Sequence, residues 1–167
     1  MSRPRIRVAY GSKAGTTAGI AEEIGRTLRD DGFDAVLLPA DAVTDVSGYD
    51  AVVLGGALYA GRWNGKARRC TRRNAEQLGH RRLWLFSSGL VDRSADEHHI
   101  PPVKGVARRM ERLGAREHIT FGGAVTAETT DPVARSMIQH GKGGGFRNPE
   151  RIRAWAHRIG TELNATG

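Results

Sequence analysis

Five short apolar runs, at 6–10, 34–38, 51–54, 83–86 and 119–125, are separated by stretches whose apolar residues recur at helical spacing. This alternation constrains the chain more than any other feature. Near-continuous apolar strands are buried on both faces, and strands separated by helices pair in parallel. The spacing predicts helices over 17–29 with Ile20, Ala21, Ile24 and Leu28 inward, and over 64–78 with Ala67, Cys70, Asn74 and Leu78 inward. It predicts two more, near 102–113 (Val103, Val106, Ala107, Met110, Leu113) and from Pro149 to Leu163 (Ile152, Trp155, Ala156, Ile159). Gly32 stands where a helix C-terminal glycine belongs, and Pro149 suits a first helical turn. The 40–48 segment is too short for a full helix, and 126–148, with Gly141, Gly143, Gly144 and Gly145, reads as a long connection. The expected fold is a doubly wound α/β sandwich on a five-stranded parallel sheet.

At 167 residues the chain is expected to form a single domain, 1–167. The lone Cys70 excludes an intramolecular disulfide framework and a four-thiolate zinc site, and a reducing, cytoplasmic setting is the matching expectation. The longest near-apolar run, 51–60, falls well short of the ~20 residues a membrane-spanning helix needs. No apolar region of signal-peptide length follows the basic start.

Charge is unevenly placed. Residues 1–60 hold six basic and eight acidic side chains, whereas 61–167 hold twenty and ten, so the whole excess of the +8 net charge lies in the second part. It is densest between Arg62 and Arg82. On a helix, Arg68/Arg72 and Arg69/Arg73 form like-charge pairs costing a few tenths of a kcal/mol each. Arg62, Arg68, Arg69, Arg72 and Arg73 are therefore either a solvated face or a docking face for an anionic substrate, redox protein or lipid headgroup. Nucleic acid is disfavoured, because no aromatic residues are interleaved for base stacking.

In doubly wound sheets ligands bind beyond the carboxyl ends of the strands, which directs attention to the turns after runs one, three and four. The first turn, Gly11 to Thr17, matches neither G-x-G-x-x-G nor a P-loop. It offers backbone N–H groups and the hydroxyls of Ser12, Thr16 and Thr17 at the positive end of a helix, enough for one terminal phosphate; an ordinary N-capped turn is the plain alternative. After run three comes Gly55-Gly56-Ala57-Leu58-Tyr59-Ala60-Gly61-Arg62-Trp63, and after run four Ser87-Ser88-Gly89-Leu90-Val91. A phosphate turn beside two small-residue loops suits a mononucleotide carrying a planar ring.

The turn S-x-x-G-x-T at Ser12, Gly15 and Thr17 resembles the FMN phosphate loop of flavodoxin-like proteins. The G-G-A-L-Y-A-G and S-S-G-L-V-D segments are most similar to the flavodoxin-domain branch that includes menaquinone-dependent protoporphyrinogen oxidase, and the similarity covers nearly the whole chain. The resemblance implies a flavodoxin-like sandwich with sheet order 2-1-3-4-5. It also implies FMN as cofactor, its phosphate held by Ser12, Lys13, Ala14, Gly15, Thr16 and Thr17. One face of the isoalloxazine would be lined by Ala57, Leu58, Tyr59, Ala60 and Gly61, and the other by Ser87, Ser88, Gly89, Leu90 and Val91. Tyr59, or else Trp63, would stack on the ring; each is also a candidate for packing at the sheet edge. Two departures stand out. Ala14 replaces the usual Ser or Thr, a lost charge-assisted bond worth about 1.5–3 kcal/mol of phosphate affinity. The stretch 126–139 lacks the aromatic and basic apolar character of the membrane-associated oxidase, which argues against quinone coupling and membrane docking.

One positive charge ~10 Å from a flavin at an effective dielectric of ~20 favours the anionic reduced form by about 1–2 kcal/mol before screening. A basic chain therefore fits an FMN-dependent oxidoreductase accepting electrons from a small organic substrate, protoporphyrinogen-oxidase-like in the resemblance. The alternative is a noncatalytic FMN electron carrier docking through its basic face. A response-regulator receiver is excluded, because Tyr10-Gly11, Gly55-Gly56 and Val125-Thr126 stand where it needs carboxylates and a lysine. The consecutive Asp96-Glu97-His98-His99 reads as a solvated loop, and the remaining histidines show no ligand spacing. No metal site is expected.

Overall fold

The computed structural model describes residues 4–11, 16–59, 62–90, 103–122 and 149–166. In chain order they form β1 (Arg5–Gly11), α1 (Thr16–Asp30), β2 (Asp34–Pro39), a 3-10 turn (Ala40–Ala42), β3 (Ala51–Tyr59), β4 (Arg62–Trp63) and α2 (Gly65–Arg73). There follow α3 (Ala75–Leu78), β5 (Arg82–Leu90), α4 (Lys104–Leu113), β6 (Glu117–Gly122) and α5 (Pro149–Thr166). The sheet runs β2-β1-β3-β5-β6 with every neighbouring pair parallel. This is the expected order, and the fold is the flavodoxin-like α/β sandwich. One strand is additional: β4 folds back antiparallel on the end of β3, pairing Trp63 with Leu58 and Arg62 with Tyr59.

Alternation along the strands divides the core in two. Ile6, Val8, Ala51, Val53, Trp84, Phe86 and Phe121 face α1 and α5. Ala9, Val52, Leu54, Leu83 and Leu85 face α2, α3 and α4. On the first side Phe86, Phe121 and Trp155 meet edge to face, with centroids 6.1, 6.2 and 5.7 Å apart. The predicted inward stripes of α1 and α5 hold: Ile20, Ala21, Ile24 and Leu28, and Ile152, Trp155, Ala156 and Ile159, are buried. On α4 Val106 and Leu113 are buried and Val103 and Met110 partly so, but Ala107, expected inward, is exposed. Gly32 ends α1 with φ +96°, the left-handed conformation that suits its position.

The helix predicted over 64–78 is broken. Ala67, Cys70, Asn74 and Leu78 are all buried as expected. At Asn74, however, the backbone leaves the helical region (φ −109°, ψ 19°), and its side-chain amide donates to the carbonyls of Cys70 and Val43. A short amide that bonds nearby backbone ends a helix which spacing alone would continue. β3 and β5 run several residues past their apolar cores. The fifth run pairs over Glu117–Gly122, and its predicted end, 123–125, lies outside the described residues, as does 126–148. Among the described residues no helix is long and apolar enough to cross a membrane.

Candidate functional site

Three central strands end in one row of small residues. Gly11 pairs with Gly56 and Gly56 with Ser87; one step further, Ala57 pairs with Ser88. At the same edge α1 begins at Thr16, with no acidic residue in its first turn. The N–H groups of that turn have no intrahelical partner and carry the positive end of the helix dipole, so an anion there is favoured.

The hydroxyls of Thr17 and Ser88 are hydrogen-bonded at 2.8 Å, and both residues are buried. This bond ties the first turn of α1 to the end of β5, 71 residues away. On the opposite face of the same strand end, Ser87 Oγ lies 2.8 Å from His118 Nε2, again buried. Adjacent serines are thus gripped from the two sides of the sheet, which fixes the backbone between them. At Gly89 a Cβ would lie 2.9 Å from the Leu58 carbonyl oxygen, so the ends of β3 and β5 touch there. The β5–β6 register shifts between Ser88 and Leu90, a bulge that redirects the strand at this edge.

The predicted residues are brought together in part. Thr17, Ala57, Leu58, Ser87, Ser88 and Gly89 converge on this edge. Ser12, Lys13, Ala14 and Gly15 lie outside the described residues, as do Ala60, Gly61 and Val91. Thr16 opens α1, and Tyr59 and Leu90 end β3 and β5. The 55–59 and 87–90 segments are strand ends rather than loops.

The glycines that precede Ala57 are filled from within the protein. A Cβ on Gly55 would fall 1.9 Å from Phe86 Cζ, and one on Gly56 would fall 2.5 Å from Trp63 Nε1. The protein's own aromatics occupy that space from both faces. Trp63 is 2% exposed and its indole donates to the Phe86 carbonyl at 3.3 Å, so it packs the sheet and does not stack on a ligand. Gly11 has a comparable role. A Cβ there would meet Asn64 Oδ1 at 2.7 Å, and that same oxygen caps α2 by accepting from Lys66 N–H. A bare Cα at this position lets α2 close on the end of β1.

The arginines separate into two groups. Arg73, though exposed, donates to the carbonyls of Ala40 and Val43 and so braces the 3-10 turn. Arg68 is oriented by its bond to the Trp63 carbonyl, and Arg109 by bonds to Thr71 Oγ1 and the Gly105 carbonyl. Burial pushes the Cys70 thiol above its ordinary range, against the opposing influence of Arg73 and Asn74. Among the described residues no cluster of His, Cys, Asp and Glu could hold a metal ion. The Thr17–Ser88 and Ser87–His118 pairs were not legible in the sequence, because each depends on register rather than spacing.

The family described as Flavodoxin domain matches residues 7–144. Among solved structures, a flavodoxin from the domain Archaea is 13% identical with a TM-score of 0.64, over 96% of this chain and 99% of that one. Flavodoxin 2 from Bacillus cereus, in its oxidised form, is 21% identical with a TM-score of 0.58, over 83% and 94%. The rubredoxin oxygen:oxidoreductase of Desulfovibrio gigas is 14% identical with a TM-score of 0.65; the match takes in 98% of this chain but 37% of that one. At these identities the structural likeness is one of fold.

Proposed function

The chain belongs to the flavodoxin domain family, and from that premise we propose that it is an FMN-binding redox protein working in electron transfer. The observation that carries this reading is the convergence of the first turn of α1 on the carboxyl ends of β3 and β5, where Thr17 bonds Ser88 and Ser88 pairs with Ala57. The residues present fit such a cofactor: a helix N-terminus with no acidic residue in its first turn for a phosphate, and the small Ala57, Ser88 and Gly89 at the strand ends beside it. Residues 12–17 would hold the phosphate, and 57–61 and 87–90 the ring system. When bound, FMN supplies the redox chemistry, and the chain binds and orients it.

Exchange with a protein partner is the favoured mode, since α2, whose N-terminus abuts the end of β1, carries an oriented Arg68 and, beside it, Arg69 and Arg72, none of them in an ion pair among the described residues. The second reading is a protoporphyrinogen-oxidase-like activity on a small anionic substrate. It rests on the G-G-A-L-Y-A-G and S-S-G-L-V-D segments, with exposed Arg62 on β4 as the attractor.

Absorbance of the purified protein before and after FMN addition tests the reading. Perturbed flavin bands that saturate at one equivalent are expected; a spectrum equal to that of free FMN at every ratio would overturn it. Bleaching of bound flavin by protoporphyrinogen without a partner protein would put the second reading first.

A further inference from the structure

The α2–α4 surface carries charge that the described residues leave without ion pairs. At the start of α2, the guanidiniums of Arg69 and Arg68 both reach over Gly65, 3.2 and 3.5 Å from where its Cβ would be. Arg72 follows one turn later on α2, and the neighbouring α4 carries Arg109 and Arg112. The two helices are joined by the bond from Arg109 Nε to Thr71 Oγ1, at 3.0 Å. None of the ion pairs among the described residues involves any of these five arginines. Arg109 is held below the ordinary arginine range, first by desolvation and then by the positive charges of Arg68, Arg72 and Arg112. Arg109 therefore lies in the field of the other three guanidiniums, an arrangement that costs stability.

Resting on the redox reading above, we propose that this surface docks an acidic protein, the redox partner, whose carboxylates pair with Arg68, Arg72, Arg109 and Arg112. Guanidinium forks match carboxylates bidentately. Arg68 and Arg109 are already oriented by backbone and hydroxyl bonds, which lowers the entropy lost on docking. Nucleic acid is disfavoured because neither helix carries an aromatic residue on which bases could stack. A lipid surface is disfavoured because Val106 and Leu113 of α4 and Ala67 and Cys70 of α2 face the core, so no apolar stripe is left for insertion. The position suits the role: α2 starts against Gly11, at the edge where the cofactor would sit.

Binding of the full chain to an acidic plant-type ferredoxin, at low and then rising ionic strength, is the test. Phosphatidylglycerol vesicles and a thymidine oligonucleotide serve as competing probes. Arg72 and Arg112 are exposed, so Arg72→Glu/Arg112→Glu is expected to fold, with unchanged circular dichroism. Ferredoxin binding should weaken with salt and fall at least tenfold in this variant. The charge-matched control Arg26→Glu/Arg158→Glu, on the opposite side of the sheet, should change it by less than threefold. The proposal is overturned by no ferredoxin binding at low salt, by equal losses in the two variants, or by tighter binding of vesicles or oligonucleotide that the α2–α4 variant abolishes. Flavin absorbance on the same samples separates the two readings. Docking without a flavin spectrum defeats the redox role and keeps the surface, whereas a flavin spectrum without docking defeats the surface alone. Should charge reversal perturb folding, the gentler Arg72→Gln/Arg112→Gln variant replaces it, with a loss of binding again supporting the surface and wild-type binding overturning it.

Discussion

The two sides of the sheet are built from similar apolar cores and treat charge in opposite ways. On the α1–α5 side Glu23 pairs with both Arg26 and Arg153, Asp31 with His157, and Arg116 with Glu162. Glu117 accepts from the Trp155 indole at 2.9 Å and pairs with Arg158. On the α2–α4 side the one comparable contact is Lys66 with Asp41, at 3.8 Å, among the described residues. The same excess of arginine is balanced where helices lock the fold and left unbalanced where they border the candidate site. The contrast separates positive charge that serves architecture from positive charge available to a partner.

Variants can break or sharpen this contrast. The largest effect is expected from Trp155→Ala, which empties the aromatic cluster on the balanced side. Chemical denaturation should show a loss of about 3–5 kcal/mol. Gly55→Ala comes next, at about 1–3 kcal/mol or more, because Phe86 must move; a wild-type denaturation midpoint would mean that the ring yields freely. Thr17→Val leaves Ser88 without its buried partner. It should cost about 1–3 kcal/mol and weaken FMN binding in the same titration, and unchanged affinity would separate this bond from the site.

A smaller effect belongs to Cys70. Its folded thiol is held above the unfolded value, so its contribution is fully present below about pH 8.5 and is lost as pH rises through the folded value. Urea midpoints should fall more steeply on the alkaline side in the wild type than in Cys70→Ala, and the thiol should resist alkylation until the chain unfolds. The least change is expected at the surface. Glu23→Gln should lose about 0–1 kcal/mol, while Arg72→Gln should be neutral or stabilising by a few tenths of a kcal/mol. Equal losses in these two variants would erase the distinction between the sides.

The parallel sheet and the inward stripes of α1, α2 and α5 were legible because burial writes itself as period in the sequence; the strand order came from the family resemblance, since period does not say which strands are neighbours. The break at Asn74 was not, since Asn74 sits at an inward position that the helical period predicts and ends α2 through a bond to Val43, 31 residues away. Gly55 and Gly56 carry a related lesson. Glycine shows that something approaches the backbone closely, and here it is Phe86 and Trp63, not a ligand. At the candidate site the residue types were readable, but the Thr17–Ser88 and Ser87–His118 pairs arise only when β5 is placed beside α1 and β6.

Of the three tryptophans, Trp84 and Trp155 lie in the α1–α5 core, and only Trp63 lies on the other side, over Gly56 and tethered to β5. That placement gives the molecule a native fluorophore beside the candidate site. Flavin absorbs in the range where indole emits, so the loss of Trp63 emission on titration would report occupancy without a label. A Trp63→Phe protein would reveal how much of the quenching belongs to this one ring.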